Sequence, residues 1–146
     1  MLDQVQKPTR YTGGEMNTQL KPWDSAKLHF AFCFPDTYEV GMSHLGMKIL
    51  YAAMNQQSDM LCERAFMPWV DMIDLMKQEK VPLFTLESRS PLSAFDVVGF
   101  TLQYEMSYSN ILAMLELGSI PLLRENRREE DPIVVAGGPC AFNPEP

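Results

Sequence analysis

Long hydrophobic runs, closely spaced cysteines and an excess of basic charge are all missing from this 146-residue chain. No run approaches the ~20 apolar residues that span a bilayer. The opening stretch MLDQVQKPTRYTGGEM has no apolar core of the signal-peptide kind. A soluble, cytoplasmic chain is the expectation. A net charge of −7 argues against a broad phosphate-binding surface, so nucleic acid fits this segment poorly. Cys33, Cys62 and Cys140 stand far apart and form no C-x-x-C pair, zinc ribbon or cluster motif. Scattered thiols of this kind are expected to be buried. G-x-G-x-x-G, G-x-x-x-x-G-K-S/T and G-x-S-x-G are absent too, which removes the common nucleotide loops and the nucleophile elbow.

What remains is the material of one globular domain. Apolar residues make up 46% of the chain and charged residues 21%, enough core for a single domain and too little charge for a disordered tail. Residues 1–25 are polar and broken by Pro8, Gly13, Gly14 and Pro22, so they read as an arm leading into a domain over 26–146. LHFAFCF (28–34) is a nearly unbroken apolar run ended by Pro35-Asp36, as in a strand covered on both faces. After a loop over 35–43 the spacing of Leu45, Ile49, Leu50 and Ala53 predicts a helix face, with Ser43 as N-cap. MLCERAF (60–66) reads as the next strand. Pro68 stands where a first helical turn accepts proline, and Trp69, Met72, Ile73 and Met76 mark a second helix face.

The second half repeats the alternation. VPLFTLES (81–88) reads as a short extended piece and DVVGFTLQ (96–103) as a strand. Ser107 is placed to cap a helix whose face is Tyr108, Ile111, Leu112 and Leu115, with Gly118 as its stop. IPLLRENRREEDP reads as a polar connection whose charge run is solvated surface, and PIVVAGGP (132–139) as a last strand broken at a double glycine. Strands alternating with helices imply right-handed βαβ units: a three-layer α/β fold with a mostly parallel sheet. A sheet at this stage should continue into a helix, another strand and another helix, so the sequence reads as the front piece of a longer polypeptide.

In such sheets ligands bind beyond the carboxyl ends of the strands. The loops at 35–43, 103–107 and 137–143 leave those ends, carrying Asp36, Thr37, Tyr38, Glu39 and Gly41, then Gln103, Tyr104 and Glu105, then Gly137-Gly138-Pro139. Glycine there lets backbone approach a flat ligand. His29 reads as a packed strand residue and His44 as a solvent-facing residue at the start of the first helix, with contact to a ligand in the same cleft as the alternative. Neither has a second ligand at metal spacing. No side chain is assigned a catalytic role.

RYTGGEMN (10–17), CFPDTYEVGMSHLGMKILY (33–51), DVVGFTLQYEMSYSN (96–110) and VVAGGPCAFNPEP (134–146) resemble the N-terminal region of a bacterial family of B12-binding-domain radical SAM proteins, of the Fe-S oxidoreductase type. The resemblance covers nearly the whole chain. It implies a flavodoxin-like, cobalamin-binding domain ahead of a barrel whose C-x-x-x-C-x-x-C motif holds a 4Fe-4S cluster that cleaves S-adenosylmethionine. Neither motif nor barrel is in this sequence. Against the family's D-x-H-x-x-G loop, Asp36 and Gly41 stand in register, but Tyr38 takes the place of the cobalt-ligating His. Against S-x-L stands Thr101-Leu102-Gln103, with the hydroxyl kept and the Leu lost; the GG element is intact as Gly137-Gly138. The implied corrin contacts are therefore Asp36, Thr37, Tyr38, Glu39, Val40, Gly41 and Met42 from the first loop, Thr101, Gln103 and Tyr104 from the second, and Gly137, Gly138 and Pro139 from the third.

Two functions follow. One is a cobalamin-binding module of a radical SAM enzyme, without catalysis of its own. The other is a ligand-free domain that docks on the catalytic barrel of the same polypeptide. A flavodoxin-like FMN site is a weaker third, since the first loop offers only Thr37 as a phosphate-binding hydroxyl before Ser43.

Overall fold

The computed structural model describes residues 2–142. Asn143, the end of the third loop, and the rest of the FNPEP stretch beyond Phe142 lie outside the described residues. The strands are β1 (Leu28–Phe34), β2 (Met60–Phe66), β3 (Val97–Thr101) and β4 (Ile133–Gly137). They form one sheet, all parallel, in the order β2-β1-β3-β4. That is the order in which a flavodoxin-like sheet begins. The helices are α1 (Tyr38–Ser43), α2 (Leu45–Gln56), α3 (Val70–Glu79) and α4 (Tyr108–Leu117).

Alternation along the strands sorts the core into two halves. Ala31, Cys33, Leu61, Ala65, Val98 and Phe100 point to one face, where Met72 and Met76 of α3 and Met114, Leu115 and Leu117 of α4 cover them. Phe32, Phe34, Cys62 and Phe66 point to the other, against Met47 and Tyr51 of α2. Right-handed crossovers require this: the chain moves outward from β1 to β2 and then reverses through β3 to β4, so the connecting helices change sides. The result is three layers, α/β/α.

Several local expectations shift. The loop at 35–43 folds from Tyr38 as α1, and the cap of α2 is His44, whose Nδ1 accepts the Met47 N–H at 3.1 Å, while Ser43 Oγ bonds back to Glu39 and Val40 carbonyls. The apolar face expected on α2 is turned outward: Leu45, Ile49 and Leu50 are 67%, 58% and 53% exposed, and Met47, Tyr51 and Asn55 are buried instead. This helix is apolar nearly all round, so period alone does not choose its inner face. Asn55 does: its amide donates to Cys62 O and accepts the Cys62 N–H, a pairing worth more inside than outside. Pro68 lies just ahead of α3, and of its expected face Met72 and Met76 are buried while Trp69 is exposed. Ser107 makes no capping bond; its hydroxyl donates to Tyr104 O, and on α4 Leu112 faces outward. The strand expected over 96–103 ends at Thr101. All three thiols are buried, as expected.

Residues 2–25 form three short 3-10 turns laid against the domain, with Val5 buried. Their anchor is Arg64 in β2, whose side chain is 2% exposed. Its guanidinium lies 2.7 Å from Glu87 and 3.5 Å from Glu15 and stacks on Tyr51 at 4.2 Å. Segment 83–91 seals the outer edge of β2: Leu86 N–H donates to Arg64 O, and Arg64 N–H donates to Glu87 Oε2. Among the described residues no helix is long and apolar enough to cross a membrane.

Breaking one half of a buried ion pair strands its partner's charge, at a cost of about 3–5 kcal/mol. Glu87→Ala is therefore expected to lower the unfolding midpoint sharply. The paired change Arg64→Met with Glu87→Leu should recover only part of the loss, because it also unpairs Glu15 in the N-terminal segment, as thermal or urea unfolding would record.

Candidate functional site

The helices leave part of the sheet uncovered. α2 lies over β1 and β2, and beside it a groove of about 460 Å³ runs over β3 and β4. Its floor is Phe30, Phe32, Gly99 and Val135, and its wall is Met47, Leu50 and Met54 of α2. Phe30 lies so close over Gly99 that a Cβ there would stand 2.3 Å from the ring. Polar groups collect at the carboxyl end of the strands: His44, Thr101 and Gln103, with the Gln103 amide donating to the Thr101 hydroxyl. Gly137 and Gly138 complete that end.

The two glycines do different work. A Cβ on Gly137 would meet nothing within 4 Å, so its place is open groove. Gly138 has φ +123°, and a Cβ on it would stand 2.6 Å from Leu102 O. It is needed for the turn that carries the chain into Pro139 and a short 3-10 turn, pinned by Cys140 N–H donating to Leu102 O at 3.2 Å.

The three loops expected to share one rim are thus divided. Thr101, Gln103, Gly137 and Gly138 border the groove. Asp36 and Tyr104 form a bridge across the β1–β3 switch point, the phenol donating to Asp36 Oδ2 at 2.7 Å, with Asp36 Oδ1 accepting the Thr37 N–H. That bond to Asp36 holds the Tyr104 phenol above its ordinary pKa. The remaining first-loop residues point elsewhere. Tyr38 is edge-on to Phe66, and its hydroxyl donates to Glu15 at 3.0 Å under the N-terminal segment. Burial, then Glu15, raise its pKa. Glu39 is exposed and paired with Arg10 at 2.9 Å and Lys7 at 3.4 Å; slight burial opposes ionisation, but these bonds hold the carboxyl below its usual range. Val40 is exposed, Gly41 is pressed against the Phe66 ring, and Met42 Sδ accepts from Arg64 at 3.5 Å. The space beneath the segment is a void of about 20 Å³ lined by Tyr38, Phe66 and Met72, room for about one water.

These positions test the implied cofactors. Tyr38 does not fit a cobalt ligand: besides being a phenol, it is committed to Glu15 and faces away from the groove. His44 does not fit either. Its Nδ1 accepts a backbone N–H, which leaves the proton of the neutral ring on Nε2. The cysteines do not fit an iron-sulfur cluster, because burial pushes the Cys33 and Cys62 thiols up and away from the thiolate form that binds metal. Among the described residues no three His, Cys, Asp or Glu side chains gather as a metal site.

A family model for the N-terminal region of radical SAM proteins matches residues 46–146. The chain belongs to that family. No curated protein and no solved structure matches it. In this radical SAM N-terminal domain the match opens inside α2, so it spans the groove wall, β3, β4 and the double glycine and leaves β1 and the first loop outside. The aromatic floor of the groove escaped the sequence reading, and His44, read as solvent-facing with a cleft contact as the alternative, borders the groove. Phe30 and Phe32 carried a signal, being alternate residues of β1 that share one face with Gly99 opposite.

Gly137→Ala is expected to change stability by no more than about 0.5–1 kcal/mol, in either direction. Gly138→Ala should cost about 1–3 kcal/mol or more, from the left-handed backbone and the Leu102 clash. Thermal unfolding of the two variants side by side separates the open glycine from the required one.

Proposed function

We propose that this domain is the non-catalytic N-terminal module of a cytoplasmic radical SAM enzyme, and that it works by seating the catalytic part of the same polypeptide against its open side without binding cobalamin. The 4Fe-4S cluster and S-adenosylmethionine then belong wholly to that catalytic part, whose chemistry is reductive cleavage of the sulfonium to a radical. The observation that carries the reading is the groove: α3 and α4 cover one sheet face over β1, β2 and β3, while the other face is bare beside α2, with Leu50 of the wall and Val135 of the floor exposed. Parallel sheets are stable with both faces covered. An apolar face left open in this way marks a surface that something else covers.

The competing reading, a cobalamin-binding module, draws support from Gly137, which opens into space beside Thr101 and Gln103 at the strand ends where ligands of such sheets sit. It lacks a metal ligand, since Tyr38 is turned under the N-terminal segment. One experiment separates the two. The full-length enzyme, reconstituted with iron and sulfide and incubated with hydroxocobalamin, should elute from gel filtration with cluster absorbance and no corrin above background. Stoichiometric corrin in the protein peak would overturn the proposal.

A further inference from the structure

Residues 2–25 hold to the domain unequally on the two sides of Gly13-Gly14. After the glycines the bonds are sheltered. Glu15 lies 3.5 Å from the Arg64 guanidinium and accepts from Tyr38, Gln19 N–H donates to the Tyr51 hydroxyl at 2.8 Å, and Lys21 Nζ donates to Met60 O at 2.7 Å. Before the glycines the bonds lie at the surface. Gln6 N–H donates to Asp71 Oδ2, Trp69 N–H donates to the Tyr11 hydroxyl, Thr12 O accepts from Arg89, and Glu39 holds both Arg10 and Lys7. Water competes for each of these, and salt weakens the ion pairs. Val5 is the one buried residue of 2–12.

Packing beneath this stretch is incomplete. The void of about 20 Å³ lies where Arg10 and Tyr11 meet Phe66, Met67, Met72 and Phe84, so the atoms around it lack contacts on one side. Few buried contacts and surface hydrogen bonds mark a stretch that opens at small cost. The stretch itself is stiff, with 3-10 turns at Leu2–Gln4 and Pro8–Arg10, the second closed by Tyr11 N–H donating to Pro8 O at 3.0 Å. Its joint is not. Gly13 and Gly14 have φ of +66° and +84°, and a Cβ on Gly14 would meet nothing within 4 Å. Glycine leaves that joint free to adopt either sign of φ.

We propose that residues 2–12 are a hinged flap, turning at Gly13-Gly14 and latched by Glu39 on Arg10 and Lys7, which opens while residues 15–25 stay bound. Closed, it covers the carboxyl end of β2 beside the first loop, at the end of the sheet where ligands of such folds sit. Open, it uncovers an apolar recess walled by Phe66, Met67, Met72 and Phe84. The flap is thus an autoinhibitory cover, and whatever competes for Glu39 or for its two cations releases it. The inference goes beyond docking at the groove, with which this recess shares no lining residue.

Hydrogen exchange of the full-length enzyme, read by mass spectrometry with fragmentation to single amides, tests it. Gln6 and Trp69 report the flap, and Gln19 and Cys62 report the body beyond the joint. Raising sodium chloride from about 0.05 M to about 0.5 M should speed exchange at Gln6 and Trp69 by about three- to tenfold and leave Gln19 and Cys62 within about twofold. Glu39→Ala at low salt should speed the same two amides by a similar factor and remove most of the salt effect. Gln19 speeding in step with Gln6 would mean that the whole segment lifts as one body, which overturns the hinge. Unchanged exchange at Gln6 and Trp69, or a salt effect that survives Glu39→Ala undiminished, overturns the latch.

Discussion

A parallel sheet carries apolar side chains on both faces, and water on either face is costly. This chain meets that requirement unevenly. Its crossovers send α3 and α4 to one side and α2 alone to the other, because the order β2-β1-β3-β4 reverses direction after a single step. On the α2 side the N-terminal segment supplies extra cover along β2, through Arg64, Glu15 and Tyr51. Nothing equivalent lies over β3 and β4 among the described residues, and the groove follows from that shortfall. Fold and function meet in this one asymmetry.

Contacts with the N-terminal segment also decide where the side chains of the first loop go. Arg64 is buried in β2 and draws carboxylates from two distant stretches, Glu15 and Glu87. Bringing Glu15 there lays the N-terminal segment over Tyr38, whose hydroxyl then has an acceptor within reach. A residue placed by its position in a cobalamin-type motif is thereby absorbed into packing. Asp36 is absorbed in another way, tying the β1 loop to the β3 loop through Tyr104. The rim that remains open is built from the second and third loops only.

Much of the architecture could be read without coordinates. LHFAFCF and MLCERAF coincide with β1 and β2 residue for residue: the first is a nearly unbroken apolar run closed by Pro-Asp, and the second sets apolar residues on both sides of Glu63-Arg64 and is followed closely by Pro68. The position of β4 and the glycine turn after it were also legible. The helices were placed well and α3 and α4 turn most of their expected faces inward, but α2 is turned the other way: it has leucine, isoleucine and methionine on several sides, and its orientation depends on the Asn55 amide reaching Cys62, a contact between segments. Of the candidate site, Thr101, Gln103, Gly137 and Gly138 stayed together. Tyr38, Glu39 and Met42 left it because their partners, Glu15, Arg10 and Arg64, lie far off in sequence.

Local chemistry, then, was enough to determine the alternation of strands and helices, the burial of the thiols and the double-glycine turn, because apolar runs, proline and glycine act over a few residues. Only the tertiary structure decided which face of α2 is inside, where Tyr38 points, and that β4 is an edge strand with Ile133 and Val135 exposed on the groove side. Those outcomes depend on hydrogen bonds, ion pairs and crossover handedness that join segments dozens of residues apart, and no short stretch of sequence contains them.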